Sequence, residues 1–87
     1  MSFMPAVFRS DGLRPLSAVP AGWRGVVDHV RQDQGDRVDR LGALGVTPGA
    51  PVTVLQTFPG IVFLCDQTEL AIERSVADVI LVKPAED

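Results

Sequence analysis

The sequence has little cysteine, no excess of basic residues and no long hydrophobic run, and each shortage excludes a class of protein. The single cysteine, Cys65, has no partner for an intramolecular disulfide, whereas small secreted domains usually depend on several. The longest apolar runs, such as Ile61–Cys65 and Val79–Val82, are far shorter than the ~20 residues of a membrane-spanning helix. We therefore expect no direct membrane insertion and a reducing, cytoplasmic location.

The charge balance is acidic. Eight Lys and Arg residues stand against eleven Asp and Glu residues, which leaves a net charge of −3. Phosphate backbones and anionic lipid surfaces are bound through an excess of basic charge, so neither nucleic acid nor a lipid surface is an expected partner. Residues 1–9 lack a basic start followed by a sustained apolar stretch, so they predict no secretory signal.

A chain of 87 residues with 46% hydrophobic content has room for one modest core. Residues 1–14 show no sustained periodicity and predict a flexible N-terminal extension, residues 15–84 form the domain, and residues 85–87 are a C-terminal tail. Such a core leaves little area for a deep substrate pocket. We therefore expect a protein that is not an enzyme.

Short β-prone runs recur along the domain. Adjacent Val26 and Val27 interrupt the alternation of the first run, which indicates a bulge or strong twist. The runs predict strands near residues 24–31, 52–58, 61–65, 70–72 and 79–82. Arg74–Asp78 breaks the β pattern and predicts a single helical turn.

One short helix is predicted between the first two strands. Val38, Leu41 and Leu44 recur every third residue, and Gly45 is typical of a helix end. Pro48 and Gly49 then predict a tight turn. About five short strands with one short helix indicate a mainly β fold, a small SH3-like barrel.

His29 and Cys65 are weak candidates for metal ligands. Neither lies in a Cys-x-x-Cys or His-x-x-x-His pair, so a tight intrachain site is not predicted and no resident cofactor is expected. A surface histidine and a buried thiol are the favoured interpretations. A weak or shared Fe²⁺ site, completed by a partner, stays open.

Two aromatic residues, Trp23 and Phe58, lie beside turns, where a ring either fills the core or anchors a partner. Core packing is the favoured interpretation, because large aromatics dominate small cores. If Phe58 is exposed, it heads an apolar hairpin tip. Our hypothesis is that this tip and the helix–turn edge frame a partner surface formed by Leu41, Leu44, Pro48, Phe58, Pro59, Gly60 and Ile61.

Two spaced motifs run through the domain, Leu16-Ser17-x-x-Pro20-x-Gly22-x-x-Gly25-x-Val27 and Leu41-x-x-Leu44-Gly45-Val46-Thr47-Pro48-Gly49-x-x-Val52-x-Val54. Together they resemble the FeoA family of small SH3-like cytoplasmic proteins of bacterial ferrous iron uptake. Leu70-Ala71-Ile72 and Val79-Ile80-Leu81-Val82 are similar to the family's last strands, and the likeness covers roughly residues 15–84. The loop at Pro59-Gly60 is shorter than the family usually carries, and Glu73 stands where a basic residue is usual.

The resemblance implies a non-enzymatic accessory protein that binds the cytosolic GTPase region of a FeoB-like ferrous iron transporter and modulates it. Recruitment to the inner face of the membrane would then occur through that partner. The alternative is a stand-alone, metal-responsive interaction domain similar to the C-terminal barrel of iron-dependent repressors. The sign of any effect on GTP hydrolysis and the oligomeric state stay open.

Overall fold

The computed structural model describes residues 12–31 and 36–85. The remaining residues, which hold most of the predicted extension and part of the tail, lie outside these ranges. The described elements, in chain order, are β1 (Arg14–Pro15), a 3₁₀ turn (Leu16–Ala18), β2 (Arg24–Val30), α1 (Asp36–Ala43), β3 (Pro51–Gln56), β4 (Ile61–Cys65), β5 (Thr68–Ile72), α2 (Arg74–Ala77) and β6 (Ile80–Pro84). The strands form one antiparallel sheet in the order β1-β6-β2-β3-β4-β5. The mainly β prediction is confirmed, with six strands instead of about five.

The additional strand is β1. Its two residues, Arg14 and Pro15, pair with Val82 and Leu81 of β6. A strand of two residues shows no alternation, so periodicity alone cannot detect it. Directly after it, Leu16 is fully buried and ties the start of the domain to the core.

β2 bends in the middle, as its interrupted alternation predicts. The register against β6 shifts between Val27 and His29, which marks a bulge or irregularity. The first part of β2, Arg24–Val26, pairs with β3, whereas Gly25–Val30 pairs with β6. A bend in a shared strand curves the sheet around one core.

The core collects apolar side chains from the sheet, both helices and the loops. Phe63 on β4 is its largest fully buried side chain. Within the described residues no polar or charged side chain is buried, and no helix is long and apolar enough to cross a membrane. The buried residues are Leu16, Val19, Val27, Leu41, Val46, Val52, Val54, Ile61, Phe63, Cys65, Ala77, Ile80 and Val82.

The connection from α1 to β3 matches the predicted helix end and turn. Gly45 has a φ of +96°, and the Val46 N–H next to it donates to the Leu41 carbonyl at 3.0 Å. Gly49 has a φ of +92° inside a turn closed by a bond between Thr47 and Ala50. Because glycine adopts positive φ at little cost, both reversals fit in a short connection.

β3 ends earlier than predicted, at Gln56 rather than at Phe58. A second register shift, between Val54 and Gln56, interrupts the alternation that would place Phe58 on the face of Val52 and Val54. The Phe58 side chain is 80% exposed. The interpretation of Phe58 as a core residue is therefore wrong.

Candidate partner-binding surface

The tip between β3 and β4, residues 57–60, has an anchored base. The Arg74 guanidinium donates through Nη1 to the Ser17 carbonyl at 3.0 Å and through Nη2 to the Thr57 carbonyl. The Ser17 hydroxyl donates in turn to the Asp78 carboxylate. These bonds connect the tip, the 3₁₀ turn and α2. The exposed ring of Phe58 thus follows directly after a backbone position that is held in place.

Two hollows adjoin at the end of β5. The tip hollow, about 530 Å³, lies between residues 57–60 and the start of α2, and Pro59, Val62 and Arg74 are part of its wall. The helix hollow, about 290 Å³, lies between α1, α2 and β5. Residues 71–73 line both hollows, so the two hollows form one continuous surface. Phe58 lines neither hollow, but Pro59, the next residue, lines the tip hollow.

The seven residues predicted for partner binding separate into two groups. Leu41 and Ile61 are 3% and 0% exposed, so they belong to the core and support the surface from below. Leu44 is 43% exposed and lines the helix hollow. Phe58, Pro59 and Gly60 lie on the tip, and Pro48 is exposed in the α1–β3 turn. The structure thus leaves five of the seven at the surface.

Sequence reasoning missed the residues that join the helix edge to the tip. Ala71 and Ile72 on β5, with Glu73 and Val76 after them, lie between the two predicted parts. No helical or strand periodicity links these residues to Leu44 or Phe58, so the sequence gives no sign that they lie together. They meet only because β5 is the edge strand that α1 and the tip both approach.

His29 lies exposed on the bent part of β2, beside two charged side chains. Its Nδ1 is 2.7 Å from Asp28 Oδ2, and Lys83 Nζ is 3.6 Å from Asp28 Oδ1. The hydrogen bond from His29, assisted by the Lys83 charge, holds the pKa of Asp28 below its usual value. One ring nitrogen of His29 is therefore already engaged with a carboxylate.

Cys65 lies in the core, 2% exposed, with its Sγ 3.5 Å from the Gly45 carbonyl oxygen. Burial, and then the charge of Asp66, raise the pKa of the Cys65 thiol. Metals bind the thiolate, which these surroundings disfavour. Cys65 points into the core and His29 is exposed on β2, so the structure does not bring the two candidate ligands together. Among the described residues no group of three or more His, Cys, Asp and Glu side chains is placed to hold a metal.

The described strands form a small antiparallel sheet, and the tip between β3 and β4 exposes an aromatic ring. The family model for the FeoA domain matches residues 14–84, well over half of the chain. The chain therefore belongs to the FeoA family, whose members are small SH3-like proteins associated with ferrous iron transport. The resemblance seen in its motifs is confirmed.

Solved structures of FeoA proteins agree with this family assignment. The FeoA protein of Chlorobium tepidum is 32% identical, with 84% of this chain and 72% of that chain covered and a TM-score of 0.71. The zinc complex of FeoA from Stenotrophomonas maltophilia, a prokaryotic SH3-domain protein, is 23% identical, with coverages of 78% and 87% and a TM-score of 0.71. No curated protein matches the chain in sequence.

A manganese-dependent transcriptional repressor has the same fold in part of its chain. It is 20% identical, with 83% of this chain and 41% of the repressor covered and a TM-score of 0.77. This chain therefore corresponds to less than half of the repressor. At that identity the likeness concerns the fold alone.

Proposed function

We propose that this protein is a non-enzymatic accessory protein of bacterial ferrous iron uptake, which binds the cytosolic GTPase region of a ferrous iron transporter and modulates it. Membership of the FeoA family supports a role in ferrous iron uptake. The observation that carries the binding role is the Phe58 ring, 80% exposed on the anchored tip and next in the chain to Pro59, which lines the tip hollow. The protein would act in the cytoplasm and reach the inner face of the membrane through its partner.

The exposed ring favours binding for two physical reasons. An aromatic side chain in water has a large apolar area that folding leaves unburied, and a partner can bury it. Arg74 holds the preceding carbonyl of Thr57, so the tip loses little conformational freedom when a partner docks. Preorganised aromatic anchors of this kind contribute a large share of interface free energy.

The test is an amide NMR titration of the isotope-labelled protein with the transporter's GTPase domain from the same source, with GDP and with a GTP analogue. We expect localised shifts at Thr47, Gly49, Phe58 and Gly60. Phe58→Ala should weaken binding by about tenfold or more. The control is Leu13→Ala, which truncates a side chain that is 41% exposed next to β1 and should leave the affinity unchanged.

An absence of shifts in both nucleotide states at high micromolar concentration would contradict the proposal. Unchanged affinity in Phe58→Ala would remove the tip from the surface. If no transporter domain binds, and Fe²⁺ or Mn²⁺ instead raises the thermal midpoint, the metal-responsive alternative would replace the proposal, because a ligand of the native state stabilises it.

A further inference from the structure

β5 is an outer strand of the sheet and has unpaired backbone groups. Its inner side pairs with β4, and within the described residues no strand pairs with its outer side. Asp66 and Gln67 both have positive φ, 57° and 102°, as in a two-residue hairpin turn. Cys65 and Thr68 are then the hydrogen-bonded pair that closes the hairpin. By alternation, the N–H and C=O groups of Glu69 and Ala71 point away from β4.

The two edges of the sheet differ in how they are protected. Natural edge strands are commonly kept short or carry proline, lysine or a bulge, which prevents a further strand from pairing. β1 has two residues and contains Pro15. β5, Thr68–Ile72, has five residues, an uninterrupted register with β4, and neither proline nor lysine. β5 is therefore the edge that can accept a strand.

The edge itself has two carboxylates, Glu69 and Glu73, and Arg40 lines the helix hollow on the α1 side; in the part of the chain that the structure describes, Arg40 is not within ion-pair distance of either carboxylate. Glu73 borders both hollows, and among the described residues no cation lies within ion-pair distance of its carboxylate. Glu69 is exposed on β5 itself. The guanidinium of Arg74, next in the chain, is already hydrogen-bonded to the Ser17 and Thr57 carbonyls. A segment that docks here is favoured when it brings a basic side chain to Glu73.

Resting on the proposed function, we infer that β5 binds an extended segment of the transporter's GTPase region as a seventh strand. The segment bonds to the outward backbone groups of Glu69 and Ala71, and it places a Lys or Arg opposite Glu73. Its apolar side chains enter the helix hollow beside Leu44 and Val76. In such strand addition, hydrogen bonds between the two backbones supply affinity, and the pockets that receive alternate side chains supply specificity.

A second copy of this chain is a poorer occupant. Antiparallel pairing of two β5 strands would bring Glu69 and Glu73 of both copies to one seam, and like charges brought together oppose association. A basic partner segment would instead place opposite charge beside the carboxylates of Glu69 and Glu73. The acidic edge thus distinguishes a transporter segment from self-association.

The backbone part of the inference is tested by amide hydrogen exchange with the GTPase domain bound. The amides of Glu69 and Ala71 should become protected by about tenfold or more. Ala71→Pro removes an outward N–H without breaking a bond to β4, so it should reduce affinity at least about tenfold with an unchanged fold. Ala71→Ser keeps the N–H and serves as the matched control, with affinity close to that of the unmodified protein.

The charge part is tested by Glu73→Gln, which should weaken binding by about threefold to tenfold and reduce its dependence on ionic strength. Ala85→Lys is the control, because it changes the net charge by the same amount in the exposed segment after β6. An equal loss of affinity in both variants would show that only the overall charge acts, which overturns the specific role of Glu73.

The outcomes separate this inference from the proposed function. If the GTPase domain does not bind at all, the proposed function fails and the inference falls with it. If it binds while Glu69 and Ala71 stay unprotected and Ala71→Pro binds normally, the proposed function stands and strand addition is wrong. Concentration-dependent dimerisation that Ala71→Pro abolishes would make a second copy the occupant. Protection in the free protein that disappears when residues 1–11 are removed would make that segment the occupant.

Discussion

Trp23 and Phe58 begin from similar sequence surroundings and end in opposite environments. Each aromatic residue lies beside a turn, and a glycine follows two residues later. Trp23 packs against the core, whereas Phe58 is 80% exposed. The local sequence around the two aromatic residues is therefore similar and does not distinguish a packed ring from an exposed one. The difference between the packed corner, residues 23–25, and the tip, residues 57–60, comes from what surrounds each one.

At the packed corner, Gly25 makes room for its neighbour's ring. Trp23 and Gly25 lie two residues apart in an extended chain and so share a face. A Cβ at position 25 would overlap the Trp23 ring and the Lys83 carbonyl oxygen. At the tip, β3 has already left the sheet before Phe58. The half-buried Trp23 ring packs against the core beside Gly25 of β2, whereas Phe58 follows a strand that has already ended.

The largest effect should separate two phenylalanines. Phe63→Ala removes a fully buried ring and should lower the free energy of unfolding by about 3–5 kcal/mol, because it leaves a cavity in the core. Phe58→Ala, at the exposed tip, should change that free energy by less than about 0.5 kcal/mol. Urea unfolding of both variants measures the difference. A destabilisation of similar size in the two would show that Phe58 packs in solution and would break the comparison.

A smaller effect concerns two glycines. Gly25→Ala should destabilise by about 1–3 kcal/mol, because backbone and ring must move to admit the methyl group. Gly42→Ala, in α1 with open space around it, should stabilise by up to about 1 kcal/mol, since alanine favours the helix. Thermal unfolding of the two variants gives the sign of each. A Gly25→Ala variant as stable as the unmodified protein would contradict the described packing at the corner.

The smallest effect depends on pH. Burial raises the pKa of the Cys65 thiol in the folded protein above its usual value of 9.0, so the folded state holds this proton more tightly than the unfolded state. The contribution of the thiol to stability is complete below pH 9.0 and decreases as the pH rises through the raised pKa. Unfolding curves between neutral pH and pH 10 should show this decrease relative to Cys65→Ala. Parallel curves would place the thiol in water rather than in the core.

Much of the fold was predictable, because its causes are local. β4 occupies the predicted residues 61–65, and the Thr47–Ala50 turn and the helix end at Gly45 form as predicted. Each depends on alternation or on a backbone angle that one residue type prefers. β1 was missed because its two residues form a strand only by pairing with β6.

The candidate surface was predictable only in part. Leu44, Phe58 and Pro59 could be chosen as apolar residues beside turns, but the burial of Leu41 and Ile61 depends on packing that spacing does not show. Glu73 borders both hollows, and no feature of its neighbours in sequence indicates this position. Exposure is a property of the surrounding chain, so local patterns determine it poorly.

The sequence by itself determined the class of this protein: a small acidic domain, mainly β, with the turns and motifs of the FeoA family. Those properties follow from side-chain alternation, from the positions of glycine and proline, and from net charge. All three depend on the order and type of the residues and not on tertiary contacts. Only the tertiary structure decided that Phe58 is exposed, that Trp23 packs on the core, and that β5 is an open edge between two hollows. These depend on register shifts and on contacts between residues distant in the chain, where the free energy of packing outweighs local preference.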